Sequence, residues 1–354
     1  MNIYYLANQV YQFSYAKPIY NRIGGTFLVT NTKKFLRFKK HLKNGNAFPE
    51  IKTFRNTPAV IKRDIKNLYD FDGVILSQSN TRINCNRNRC ITIFIGHGTG
   101  DKKYGGNPQI LESYNYHFLS GPKHLEKLRD VGVNIPDTDL IKIGNPRFDA
   151  YINGQIDREQ CIENIGIVDR NRKNVLYAPT WKWGNGTLHK YVYHFCKELT
   201  REFNLIIRPH FFERQYIPII KAWTKIQGIK HVYFSNPSDI LNHDTLHDFA
   251  ASDILISDTS SILYEYLITR KPVIIAQVDC DELHNMPESM DIRSVASIFD
   301  NSPGSDILKI VRRNLEDQGQ KEKYQQLLHN CFYFNDGRCT DRAVAFINNL
   351  RTEI

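Results

Sequence analysis

The chain has 354 residues, 41% apolar and 24% charged, and a net charge of +10. These proportions exclude a disordered chain and leave room for two domains, each with its own core. No apolar run reaches the roughly 20 residues of a membrane-spanning helix. The opening MNIYYLANQVYQFSYAK lacks the basic, apolar and small-residue segments of a signal peptide, so a cytoplasmic location is expected. Seven scattered cysteines without a C-x-x-C pair argue against a disulfide framework and against structural zinc.

The positive charge is concentrated at the start. Residues 1–100 hold 16 Lys or Arg against 4 Asp or Glu, whereas the remainder holds 31 against 33. An anionic partner for that first part is therefore expected, whether a polyanionic substrate, an anionic membrane surface or nucleic acid. No RRM, KH, helix-turn-helix or zinc pattern is present, so a nucleic-acid-binding role is not expected. The densest basic stretch, TKKFLRFKKHLKN (32–44), spaces Phe35, Phe38 and Leu42 as one helical face; a packed surface helix and a membrane-surface helix both fit it.

In chain order, strands are predicted at GTFLVT (25–30), GVILSQ (73–78), ITIFIG (91–96), YHFLSG (116–121) and LIKIG (140–144). Helices are predicted at TPAVIKRDIKNLYD (57–70) and PKHLEKLRDVG (122–132). A polar stretch at 153–174 interrupts this rhythm. It resumes with VLYAPT (175–180), a helix over 189–203, NLIIRPH (204–210), a helix near 217–226, HVYFS (231–235), ILIS (254–257) and PVIIAQ (272–277). Strands alternating with helices predict parallel sheets with crossover helices. The expected fold is α/β, with two doubly wound Rossmann-like domains, residues 1–160 and 161–354, facing a central cleft. Ligands of such folds bind beyond the carboxyl ends of strands.

Those strand ends carry the polar residues of interest. Gly96-His97-Gly98-Thr99-Gly100 follows ITIFI, and the flanking glycines leave the His97 imidazole uncovered to accept a proton. Ile207-Arg208-Pro209-His210 brings a permanent charge and a hydrogen-bond donor for a phosphate, although a structural pair of Arg208 with Glu213 would also explain it. ISDTSSILYEYL (256–267) runs from a strand into a helix. There Ser257, Asp258, Thr259, Ser260 and Ser261 fit both a helix cap and a phosphate cradle, and Glu265 fits a ribose contact or an internal cap. The P-loop and G-x-G-x-x-G patterns are absent. The turn GNPRFD (144–149) suggests a fixed pair of Arg147 with Asp149, and Thr180 and Trp181 open a loop that would line the cleft. His243 and His247 of HDTLHD have metal-ligand spacing but lack a third ligand, so solvated helix surface is expected and no metal site is assigned.

In order along the chain, GHGT (96–99), GNPRFD (144–149), LYAPTW (176–181), RPH (208–210), SDTSS (257–261) and NDGRCTDRAV (335–344) resemble the CDP-glycerol glycerophosphotransferase family. That family includes teichoic acid and capsule polyol-phosphate transferases. The resemblance implies a GT-B architecture, with the basic N-terminal domain taking the acceptor and the C-terminal domain the donor. It implies that His97 is the general base and His210 a catalytic contact to the donor phosphates. Arg208, Thr180, Ser257, Asp258, Thr259, Ser260, Ser261 and Glu265 would form the donor site, with Gly98, Thr99, Arg147 and Trp181 elsewhere in the cleft. The expected reaction moves a polyol phosphate, with glycerol phosphate as the first choice, from CDP-glycerol to a hydroxyl of a glycan, polyol-phosphate or lipid-linked acceptor. CMP is released, at the inner face of a bacterial membrane. No cofactor is implied, and dependence on a divalent cation stays open. The alternative is a GT-B glycosyltransferase that uses a nucleotide sugar. The chain departs from the family at Phe211 (Pro), Thr259 (Tyr) and Tyr264-Glu265 (Phe-Asp), and has Gly100-Asp101-Lys102 where Pro-Leu-Lys is common.

Overall fold

The computed structural model describes residues 1–6, 12–36, 59–61, 67–96, 98–239, 244–278, 283–317 and 319–353. His97, most of the basic 32–44 stretch and His243 lie outside them. Among the described residues, no helix is long and apolar enough to cross a membrane. The chain divides into two compact units, Met1–His97 with Lys103–Asn153 and Phe332–Ile354, and Gly98–Lys102 with Gly154–Cys331.

In the first unit, β1 (Asn2–Leu6), β2 (Thr26–Val29), β3 (Ala59–Ile61), β4 (Gly73–Ser77), β5 (Cys90–Phe94), β6 (Tyr116–Leu119) and β7 (Leu140–Lys142) form one sheet. Their order is β3-β2-β1-β4-β5-β6-β7. In the second unit, β8 (Asn174–Tyr177), β9 (Asn204–Ile207), β10 (Val232–Phe234), β11 (Ile254–Ser257), β12 (Val273–Ala276) and β13 (Ser297–Phe299) run in the order β10-β9-β8-β11-β12-β13. Every pairing between these strands is parallel. GVILS, NVLY, NLII and ILIS are buried along their whole length, because helices cover both faces of a parallel sheet. In the second unit this burial gathers Tyr177, Tyr191, Phe195, Leu205, Ile256 and Phe299 into one core.

Three expectations change. Ala59–Ile61 pairs with β2 as a strand, so the helix expected over 57–70 does not begin there; a short apolar run cannot be told from helix by periodicity alone. The 153–174 stretch holds a helix, Arg158–Ile165, with Asp157 accepting from the Gln160 N–H at 2.7 Å and Gly166 closing it in the left-handed conformation. The division falls at 153/154, not 160/161, and the last helix, Cys339–Glu353, belongs to the first unit. It is fastened there by Asp149, whose carboxylate accepts from the backbone N–H of Cys339 (3.0 Å) and Thr340 (2.7 Å). Phe346 packs edge-on against Tyr116 and Phe118. The motifs GNPRFD and NDGRCTD thus meet as cap and helix start.

Candidate functional site

In the second sheet the strand order reverses between β8 and β11, so the loops leaving these two strands open a crevice at their carboxyl ends. These are the loops of Thr180–Thr187 and Asp258–Ser261. Asp258 ties them together. It is 2% exposed and accepts from the N–H of Thr180 (2.9 Å), the N–H and Oγ1 of Thr187 (2.9 and 3.0 Å) and the N–H of Thr259 (2.7 Å). Burial raises its carboxyl pKa, against these four donors, which lower it. The Ser257 hydroxyl donates to the Ala178 carbonyl at 2.6 Å. Thr259 Oγ1 donates to the Gly184 carbonyl at 3.0 Å, and Lys102 Nζ reaches the same oxygen. Glycine is required at 186, where a Cβ would run into the Thr180 carbonyl.

Of the residues expected on the donor, Ser257, Asp258 and Thr259 therefore spend their side chains on the loop itself. Ser260 and Ser261 remain at the mouth of the turn, half-buried, with Ser260 Oγ accepting from the Ile262 N–H at 3.4 Å. The helix they open is one turn, Ile262–Glu265, before tightening to 3-10 geometry over Tyr266–Thr269. Its macrodipole is correspondingly small, so the polar character of this turn comes from the Ser260 and Ser261 hydroxyls rather than from a long helix. Glu265, expected at a ribose, is 1% exposed, and its N–H closes the turn on the Ser261 carbonyl.

The segment Gly98–Lys102 packs as a strap on this turn within the second unit. A Cβ at Gly100 would come within 2.9 Å of both the N and Cα of Ser261, so only glycine permits the approach. Asp101 anchors the strap: Tyr264 Oη donates to both carboxylate oxygens at 2.8 and 2.7 Å, and the His284 N–H donates to its carbonyl at 2.7 Å. Thr99 is buried in the strap and Gly98 exposed.

After β9, His210 is held as a neutral donor. Its Nδ1 accepts from the Phe212 N–H at 3.2 Å, which leaves the proton on Nε2. Trp181 stacks on the ring at 6.1 Å between centroids, and Phe212 meets Trp181 edge-on at 5.2 Å. Burial, then the charges of Lys102 and Arg208, lower its pKa from 6.5 to about 4. The imidazole is thus neutral at physiological pH. The sign follows: the unfolded chain takes up this proton near 6.5 and the folded chain near 4, so the stability contributed is full above 6.5 and lost as pH falls toward 4. We expect the His210 ring resonance, followed by NMR, to titrate near 4; a midpoint between 6 and 7 would remove the neutral-donor assignment.

Arg208 pairs with Asp248, not with Glu213. Its Nη1 lies 2.7 Å from both Asp248 Oδ2 and Ser235 Oγ, with the side chains 9% and 0% exposed. Asp248, which closes HDTLHD, is therefore core. Glu213 instead accepts from the Lys182 N–H (3.0 Å) and sits 3.1 Å from His189 Nε2. In the first unit Arg147 is 4% exposed, with its guanidinium over the Tyr15 ring at 4.4 Å. These contacts of the two arginines each lie within one unit. Lys102 and Thr187 were not singled out from sequence. Lys102 had a signal, since it stands where the family's Pro-Leu-Lys has its lysine. Among the described residues, no group of three His, Cys, Asp or Glu side chains suits a metal ion.

Residues 93–349 match the family described as CDP-Glycerol:Poly(glycerophosphate) glycerophosphotransferase. Among curated relatives, the teichoic acid glycerol-phosphate primase of Bacillus subtilis (strain 168) is 23% identical over 68% of this chain and 59% of its own length. The teichoic acid ribitol-phosphate polymerase TarK of Staphylococcus aureus (strain NCTC 8325 / PS 47) is 25% identical over 60% of this chain and 39% of its own. The chain thus spans well under two thirds of the length of these relatives. The solved wall teichoic acid polymerase TagF superposes with a TM-score of 0.66 at 17% identity, covering 99% of this chain and 89% of that one. UDP-GlcNAc 2-epimerase from Neisseria meningitidis, bound to UDP-GlcNAc, gives 0.62 at 14% identity, over 99% and 100%. At these identities the solved structures share the fold, which is GT-B-like.

Proposed function

The chain belongs to the CDP-glycerol:poly(glycerophosphate) glycerophosphotransferase family, and on that premise we propose that it transfers a polyol phosphate from a CDP-activated alcohol to an acceptor hydroxyl. The observation that carries this reading is the convergence of the loops after β9 and β11 with the Gly98–Lys102 strap. They bring a neutral Nε2–H donor at His210, an ammonium at Lys102 and the hydroxyls of Ser260 and Ser261 to one switch point. This set suits a diphosphate: hydrogen-bond donors with one cation, and an aromatic wall of Trp181 and Phe212 beside them.

In the proposed step the acceptor oxygen bonds to the β-phosphorus and the bond from that phosphorus to the bridging oxygen breaks. CMP departs with the bridging oxygen and its electron pair, and His97 takes the hydroxyl proton. His210, Lys102, Ser260 and Ser261 stabilise charge on the phosphates, while Asp258 and Arg208 hold the loops that present them. Glycerol phosphate is the first choice of cargo. Relatives named for glycerol and for ribitol match at similar identity, so discrimination falls to the alcohol pocket. The acceptor is a polyol phosphate, glycan or lipid-linked chain, and the basic excess of the first hundred residues supports an anionic one, presented at a membrane surface.

Incubation with CDP-glycerol, CDP-ribitol or a UDP-sugar, together with a glycerol-phosphate oligomer, tests the reading. CMP release with growth of the oligomer is expected from a CDP-alcohol. Release of UDP alone, with both CDP-alcohols inert, would replace it with glycosyl transfer.

A further inference from the structure

The first unit carries a depression of about 410 Å³. Its walls are the connections leading into β4, β5 and β6, with Asn67 and Tyr69 before β4, Arg82, Asn84 and Arg87 before β5, and Ser113 before β6. Two of these walls are tied together. Asn67 and Asn84 form a parallel bridge, and the Leu68 N–H donates to the Asn84 carbonyl at 2.8 Å.

Arg87 is pinned across the gap between β5 and β6. Its Nη1 donates to Thr92 Oγ1 (3.2 Å) and Asn115 Oδ1 (2.6 Å), and its Nη2 to the Ser113 carbonyl. Among the described residues, three of the five N–H donors of the guanidinium are thereby used to orient it, which leaves two for a ligand. Arg82 is exposed on the same wall. Among the described residues, no carboxylate lines the depression. Of the described acids directly before these strands, Asp72 pairs with Arg89 at 3.5 Å and Glu112 accepts from the Asn134 N–H at 2.8 Å; Asp70 is exposed beside Tyr69 in sequence but outside the lining.

Two guanidinium groups set among amide and hydroxyl side chains match an anion that also carries hydroxyls. We infer that this depression is a subsite for a phosphodiester of the acceptor's polyol-phosphate chain. The inference rests on the transfer reading above for the nature of the acceptor. The location decides against the donor, whose proposed contacts all lie in the second unit, whereas every residue lining the depression belongs to the first. The subsite would hold a growing chain between additions and favour long acceptors over short ones.

The test compares wild type with Arg82→Ala and Arg82→Glu, substitutions at an exposed position that leave folding intact. Binding of a fluorescently labelled glycerol-phosphate hexamer is measured by anisotropy at low salt, without any donor. We expect affinity to fall about 5-fold for Arg82→Ala and more than 10-fold for Arg82→Glu, with the difference shrinking as salt screens the charge. With CDP-glycerol present, the ratio of KM for the hexamer to KM for a single glycerol phosphate unit should rise in the same order. Equal hexamer binding by all three proteins overturns the subsite, as does competition by heparin or RNA equal to that of unlabelled hexamer. Because binding is read without turnover, loss of the subsite is distinguishable from failure of the transfer reading, which would appear as absence of CMP release in all three proteins.

Discussion

Asp258→Ala should lower the melting temperature of the second unit by roughly 10 °C and remove transfer activity. The carboxylate accepts from two N–H groups and a hydroxyl across 71 to 78 residues of sequence, and from the Thr259 N–H beside it. Its removal leaves the buried N–H groups of Thr180 and Thr187 without an acceptor, at about 1–3 kcal/mol each. A total of roughly 3–5 kcal/mol corresponds to about 2–4 °C per kcal/mol for a unit of this size. The Thr180–Thr187 loop and the serine turn would then separate, so donor binding should be lost along with turnover. Asp258→Asn is the sharper comparison: it keeps the shape but turns one acceptor into a donor facing donors. Thermal unfolding and CDP-glycerol binding measure both effects. A change in melting temperature below about 2 °C in the alanine variant would show that Asp258 does not hold the crevice together.

His97→Ala should lower kcat by about 10²–10⁴-fold, the range for loss of a positioned general base, while affinity for CDP-glycerol changes less than about 3-fold. The proposed donor contacts all lie in the second unit, whereas His97 is proposed to act on the acceptor hydroxyl. Binding and chemistry should therefore separate in this variant. Single-turnover CMP release together with equilibrium donor binding reads the two parts. Turnover at the wild-type rate would remove His97 from the base role; loss of donor affinity equal to the loss of rate would move it to the donor site.

The local pattern of the chain was sufficient for the strands that form the centre of each sheet. GVILS, NLII and ILIS are continuous apolar runs, and a parallel sheet covered on both faces requires such runs. It was also sufficient for the positions of the polar loops, since GHGTG, APTW, RPH and DTSS each follow such a run directly. The helix at 158–165 was legible too, from Asp157 and Gly166, though the polarity of the surrounding stretch masked it.

Which polar residue faces a ligand and which faces another loop was not legible. Arg208 finds Asp248 across 40 residues, Asp258 finds Thr180 across 78, and Asp149 finds Cys339 across 190. Sequence spacing offered Glu213 to Arg208 and Arg147 to Asp149 because those were the nearest opposite charges. The order of strands in the sheet sets these partnerships, and strand order depends on which apolar faces bury against each other over the whole domain. The sequence alone therefore determined a two-unit parallel α/β protein with its chemistry at strand ends. Tertiary structure decided that Ser257, Asp258 and Thr259 build the crevice and that Ser260 and Ser261 stand at its mouth. It also returned the last helix to the first unit, because a buried carboxylate takes its donors from whatever backbone the fold brings within about 3 Å, however distant in the chain.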